Sequence, residues 1–143
     1  FMKREVNFVP LKIDEDDYTS LWSEVVNKKK TNDFCILFCV DLLSIEEKRM
    51  EVLARLRRIS DSISKVVCGD VTEKVNCMLL LTNVKEFRAK HPSVDARDVY
   101  QRVIGNSIDP KRVCFKFSSV MAVDVSDKKH VERIKDKLLK VLA

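Results

Sequence analysis

The sequence predicts an α/β fold, a three-layer sandwich around a mostly parallel sheet of four to five strands. Three observations carry this. The runs FCILFCV (34–40), VNCMLLL (75–81) and VCFKF (113–117) have strand length and no polar face, as strands covered by helices on both sides require. The segments around them repeat apolar residues at helical spacing. The order, strand then helix four times over, favours parallel pairing through right-handed crossovers.

From the N-terminus, EVNFVPLKI (5–13) reads as the first strand. Pro10 has no N–H for a ladder, which makes this strand, with Val9 beside the proline, the expected edge. In DEDDYTSLWSEVVNKKK (14–30), Tyr18, Leu21, Trp22, Val25 and Val26 share one helical face. Acids open that helix and lysines close it, which suits the helix dipole. After FCILFCV a long helix is expected from about Ile45 to Val67. Its stripe is Val52, Leu56, Ile59, Ile63 and Val66, and Gly69 follows as terminator. The strand VNCMLLL comes next, then a turn around Pro92, then a short helix from Val94 to Ile104. VCFKF is the last strand. A final helix from Asp127 to Leu142 shows Val131, Ile134, Leu138 and Val141 on one face, with Ser126 or Asp127 as cap.

The 143 residues set a single domain, 1–143, large enough to stand on its own core. No apolar run approaches the roughly 18 residues of a membrane span, and no signal-peptide pattern opens the sequence. Phe1 before Met2 reads as a cloning residue ahead of a native start. The five cysteines, Cys35, Cys39, Cys68, Cys77 and Cys114, form no C-x-x-C, and most sit in or beside apolar runs. They read as reduced core thiols, so the expected compartment is cytoplasm or nucleus. His91 and His130 have no Cys at zinc spacing and fall in polar segments, so both are expected on the surface and no metal site is expected.

Ligands in such sheets sit beyond the carboxyl ends of the strands. Those ends are expected at Asp14–Asp17, Asp41, Thr82-Asn83 and Ser118-Ser119. Phosphate binding needs a glycine-rich loop, because only glycines let successive N–H groups close round a phosphate. The chain holds two glycines, Gly69 and Gly105, and neither follows a strand in that way. The first strand–helix junction keeps only Thr19-Ser20 of the loop pattern and sets four acids where the anion would lie.

CMLLLTNVKEF (77–87) ends a buried strand in Asn83-Val84-Lys85-Glu86. This resembles the fourth, guanine-reading motif (Asn-Lys-x-Asp) of Ras-like GTPases, in particular the G-protein α-subunit branch. FCILFCVDL is similar to that family's strand before its third helix. An extra segment, 88–111, precedes the last strand as in α subunits. KFSSVMAVD lies where the family has its TCAT loop, with Ala122 a candidate for the fifth-motif alanine, and an amphipathic helix follows. The resemblance covers residues 33–143. It implies a P-loop NTPase-like topology, with Asn and Asp of the fourth motif positioning the base. Here Asn83 matches, Val84 stands for the lysine, and Glu86 stands for Asp with one methylene more. No DxxG follows the first strand, and the length leaves no room for the switch strands. Two registers stay open. The first strand is the family's first, with a dead P-loop and two strands deleted. Otherwise it is the third, with Trp22 in a switch II-like helix. Either way Asn83, Glu86, Thr19 and Ser20 are remnant positions, and no cofactor is expected.

Other chemistries have partial support. Asp16, Asp17, Asp41 and Thr82 are arranged as in receiver domains, which hold Mg²⁺ between carboxylates, but no lysine ends the last strand. No G-x-S-x-G elbow is present. The net charge is +5, with basic clusters at Lys28–Lys30, Arg55–Arg58 and along the last helix. They permit nucleic acid, but no aromatic residues interleave them for stacking. The resulting expectation is a catalytically inactive, GTPase-like protein-interaction module, a scaffold subunit of a larger complex. Tyr18, Trp22, Val9 and Pro10 are its candidate partner contacts, through hot-spot aromatics and an open edge. The alternatives are a residual nucleotide- or Mg-binding regulatory domain and a nucleic-acid-binding accessory subunit.

Overall fold

The structure, a computed structural model, describes residues 35–64, 75–109, 111–113 and 115–142. The expected first strand with Val9 and Pro10 lies outside them. So do the helix with Tyr18, Thr19, Ser20 and Trp22, the acids Asp14–Asp17, and Val66, Cys68, Gly69 and Cys114.

The described residues form an α/β arrangement with an open sheet of three parallel strands, in the order β1 (Cys35–Asp41), β2 (Val75–Thr82), β3 (Phe115–Ala122). The expected count of four to five strands includes the first strand, which is not among them. Helices α1 (Arg49–Ser64), α2 (Val84–Lys90), α3 (Ala96–Val103) and α4 (Lys128–Leu142) complete the set, with 3-10 turns at Leu42–Ser44 and Gly105–Ser107. Among the described residues no helix is long and apolar enough to cross a membrane.

The strand β2 is buried along almost its whole length because both faces are covered. Val75, Cys77, Leu79 and Leu81 face one core with Val52, Leu56, Ile59 and Ile63 of α1, and with α2 and α3. Met78 and Leu80 face a second core with Ile134, Leu138 and Leu142 of α4. Helices thus lie on both sides of the sheet, which makes three layers. The strand β1 departs from expectation. Ile36, Phe38 and Val40 are buried, but Cys35 and Leu37 on its other face are only half-buried and Cys39 is exposed. The second core thins towards this strand, so an all-apolar run does not here mean two covered faces.

The third strand runs further than the sequence suggests, and it changes step on the way. Cys77 pairs with Phe117, yet Met78 pairs with Ser119, so Ser118 is an extra residue on β3. Such a bulge is uncommon between parallel strands. Before it, odd positions Phe115 and Phe117 face the first core. After it, even positions Val120 and Ala122 do, and Met121 turns to the second core. The Ser118 hydroxyl donates to the Asn76 side-chain oxygen at 2.9 Å, which satisfies a polar side chain buried in β2. Ser118 and Ser119 therefore lie inside the strand, not at its end. KFSSVMAVD is mostly strand rather than loop.

The helix α2 was not expected. It occupies the stretch before Pro92, where Val84 and Phe87 are its two buried residues. Two apolar positions in seven residues are too few for a period to show. The helix α3 starts later than Val94, capped by Asp95, whose carboxylate accepts from the Arg97 N–H at 2.8 Å. Arg49 ties α1 to the end of α3. Its Nε donates to the Val103 carbonyl at 2.9 Å, filling an acceptor the helix end leaves open, and its Nη2 donates to the Ser107 hydroxyl at 2.8 Å.

Candidate functional site

The carboxyl ends of the strands carry the polar residues. Asp41 closes β1, Thr82 and Asn83 close β2, and Val123-Asp124 follow β3. Asn83 takes a left-handed backbone, φ 62° and ψ 38°, which turns the chain sharply from β2 into α2. Asparagine is one of the few residues that tolerate this conformation. Its side chain does not cap α2. Instead its amide donates to the Asp41 carboxylate at 2.9 Å, across the neighbouring strand.

Asp41 also accepts from the Leu43 N–H at 3.0 Å and from the Ser44 hydroxyl at 3.3 Å, which shapes the turn into α1. Desolvation acts to raise its pKa, but the hydrogen bonds from Asn83, Leu43 and Ser44 and the charge of Lys48 prevail and hold the carboxyl below its ordinary value. Thr82 donates to the Val40 carbonyl at 3.4 Å.

A second cluster holds α2 from the β3 side. The Asp124 carboxylate accepts from the Lys85 N–H at 3.0 Å, taking up an open donor in the first turn. The Asp124 N–H donates to His130 Nδ1 at 2.8 Å. Nδ1 must therefore be unprotonated, which puts the proton of the neutral ring on Nε2. Nε2 lies 3.7 Å from the Asp127 carboxylate. Lys85 Nζ lies 2.7 Å from the same carboxylate, and this contact raises the lysine pKa. The hydrogen bond from Lys85, with that from the Lys129 N–H, brings Asp127 from 3.8 down to about 2. Asp127 thus also caps α4, as expected, through the Lys129 N–H at 2.9 Å. His130, expected on the surface, is largely shielded, with 16% of its side chain exposed. His91 is exposed.

The two described remnant positions do not converge. Asn83 points to Asp41, while Glu86 lies on the exposed side of α2, 3.6 Å from Lys90 one turn on. Both Glu86 and Lys90 are mostly in solvent, so that pair contributes little. Ala122 ends β3 and packs against the first core. Thr19, Ser20, Tyr18, Trp22, Val9 and Pro10 lie outside the described residues. Among the described residues no three His, Cys, Asp or Glu side chains gather as a metal ion would need. Cys35, Cys39 and Cys77 are free. Burial pushes the Cys35 thiol up to about 11 and the Cys77 thiol higher still, so neither is a thiolate near neutral pH.

Asp124, Asp127, His130 and Lys85 were not singled out as a group from the sequence. Their only local signal is the polar VDVSDKKH stretch after β3, which reads as a helix cap. Their link to α2 is tertiary. Set against known proteins, the chain matches no family model, no curated protein and no solved structure.

Proposed function

We propose that this chain is a protein-interaction module on a shortened, GTPase-like α/β fold, a scaffold subunit of a larger assembly that does not turn over nucleotide. One observation carries the reading. The polar groups at the sheet mouth are engaged with one another: Asn83 with Asp41, Asp124 with the first turn of α2, Lys85 with Asp127. In the family that CMLLLTNVKEF resembles, the residue matching Asn83 reads the guanine base. Here its amide is already committed, and the carboxylate at Glu86 lies on the solvent side of its helix. A base would have to displace the Asp41 bond, a charge-assisted hydrogen bond worth about 1.5–3 kcal/mol, and find its carboxylate partner at Glu86 turned to solvent on α2. Contact with a partner needs neither group.

Calorimetry with GTP, GDP and ATP in the presence of Mg²⁺ tests this. The expected result is no binding tighter than about 10 μM, roughly −7 kcal/mol. Tighter binding of any of the three overturns the reading.

A further inference from the structure

A cleft of about 740 Å³ opens beside the carboxyl end of β3, between the end of α2, the start of α3 and the second turn of α4. Three arginines line it, one from each helix: Arg88, Arg97 and Arg133. All three are exposed, and among the described residues none of their guanidinium groups pairs with a carboxylate. The acid in the wall, Asp95, is occupied as the cap of α3. Two acids on the flanking helices pair with lysines of their own helix, Glu86 with Lys90 and Glu132 with Lys135. Arg97 stands in the first turn of α3, where the helix dipole disfavours a cation. With three guanidinium groups and the one carboxylate of Asp95, the lining is net positive, which favours an acidic ligand.

We infer that this cleft docks an acidic segment of a partner protein, with an apolar side chain between its carboxylates. The inference rests on the interaction-module reading and specifies its partner. Guanidinium forks bind carboxylates in two-point fashion, which an ammonium does not match. Beside the arginines lie Pro92, Val94 and Met121, and Val94 is 41% exposed, large for an aliphatic side chain. This wall takes the apolar residue while the arginines take the flanking acids. No aromatic side chain lines the cleft, so stacked bases have no platform and a nucleic-acid strand fits it less well.

The test is an NMR titration of the ¹⁵N-labelled chain with three probes. These are a peptide of leucine flanked by three glutamates on each side, the same peptide with glutamines, and an oligothymidine strand. The glutamate peptide should shift the amides of Val94, Arg97, Met121 and Arg133, and the glutamine peptide should not. Arg97→Glu and Arg133→Glu should each weaken binding about ten-fold or more, with spectra otherwise intact. Arg57→Glu on α1 should bind as the parent does. The inference is overturned if the glutamate peptide leaves these amides still, if its shifts map elsewhere, if both reversals bind normally, or if the oligonucleotide occupies the cleft more tightly. Failure here together with silence towards GTP removes the acidic partner and leaves the module reading standing. Tight GTP binding removes the module reading instead.

Discussion

Asn83 donates its side-chain amide to the Asp41 carboxylate at 2.9 Å while holding a left-handed backbone at φ 62°. One residue thus sets the turn from β2 into α2 and ties the ends of two parallel strands. The two roles separate by substitution. Asn83→Ala loses the bond and strains the backbone, and should destabilise by about 2–4 kcal/mol. Asn83→Gly loses only the bond, and should be milder by about 1–2 kcal/mol. Asn83→Asp keeps the turn but sets two carboxylates together, and should recover when Asp41 is changed to Asn. Urea denaturation of the four variants checks the order.

Acid should loosen the α2 clamp. Asp127 titrates at about 2 in the folded chain against 3.8 ordinarily, and Asp41 is also depressed. Such groups bind fewer protons folded than unfolded. Their stabilisation is therefore full above the ordinary carboxylate value and fades as pH falls from about 4 towards about 2. Denaturation midpoints between pH 2 and pH 6 should drop for the parent chain. They should drop less for Asp127→Asn, the two curves converging at the acid end. Parallel curves would refute the assignment.

His130 accepts the Asp124 N–H, so its loss leaves a shielded donor without a partner. His130→Ala should destabilise by about 1–3 kcal/mol. It should also speed hydrogen exchange at the amides of Asp124 and Lys85 while sparing the middle of α1. Long-range ¹⁵N–¹H correlation in the parent chain should show the neutral ring as the tautomer that leaves Nδ1 free to accept.

Ser118 is the residue out of step between β2 and β3. Ser118→Ala loses one hydrogen bond to Asn76 and should cost about 1–2 kcal/mol. Deleting Ser118 also loses that bond but removes only the extra residue, so Ser119 still pairs with Met78, and Val120, Met121 and Ala122 keep their faces. Both variants should therefore melt cooperatively in circular dichroism. A deletion that abolished the transition would mean that β3 had slipped by one residue and turned its side chains to the opposite faces.

Features set by burial alone were legible in the sequence. The strands β1 and β2 fall on two of the apolar runs and β3 begins in the third, and Val52, Leu56, Ile59 and Ile63 of the expected stripe are all buried. So are Ile134 and Leu138 of the last helix, while Val141 packs half-buried against the same core and Leu142 joins it fully buried. What depended on two segments meeting was not legible. The two serines looked like a strand end because polar residues in a strand are unusual, whereas Ser118 answers Asn76 on the neighbouring strand. Asn83 stood out by its place at the end of a buried run, but its partner Asp41 is 42 residues away. His130 looked exposed because its neighbours in sequence are lysines. Its shielding comes from the loop after β3.

The most direct test of the central claim watches the Asn83 side-chain amide while GDP and Mg²⁺ are added to the ¹⁵N-labelled chain. The account predicts that its two NH₂ resonances stay in place to millimolar nucleotide, because that amide remains on Asp41. Saturable movement of those resonances together with the Lys85 and Glu86 amides, at micromolar GDP, would contradict it.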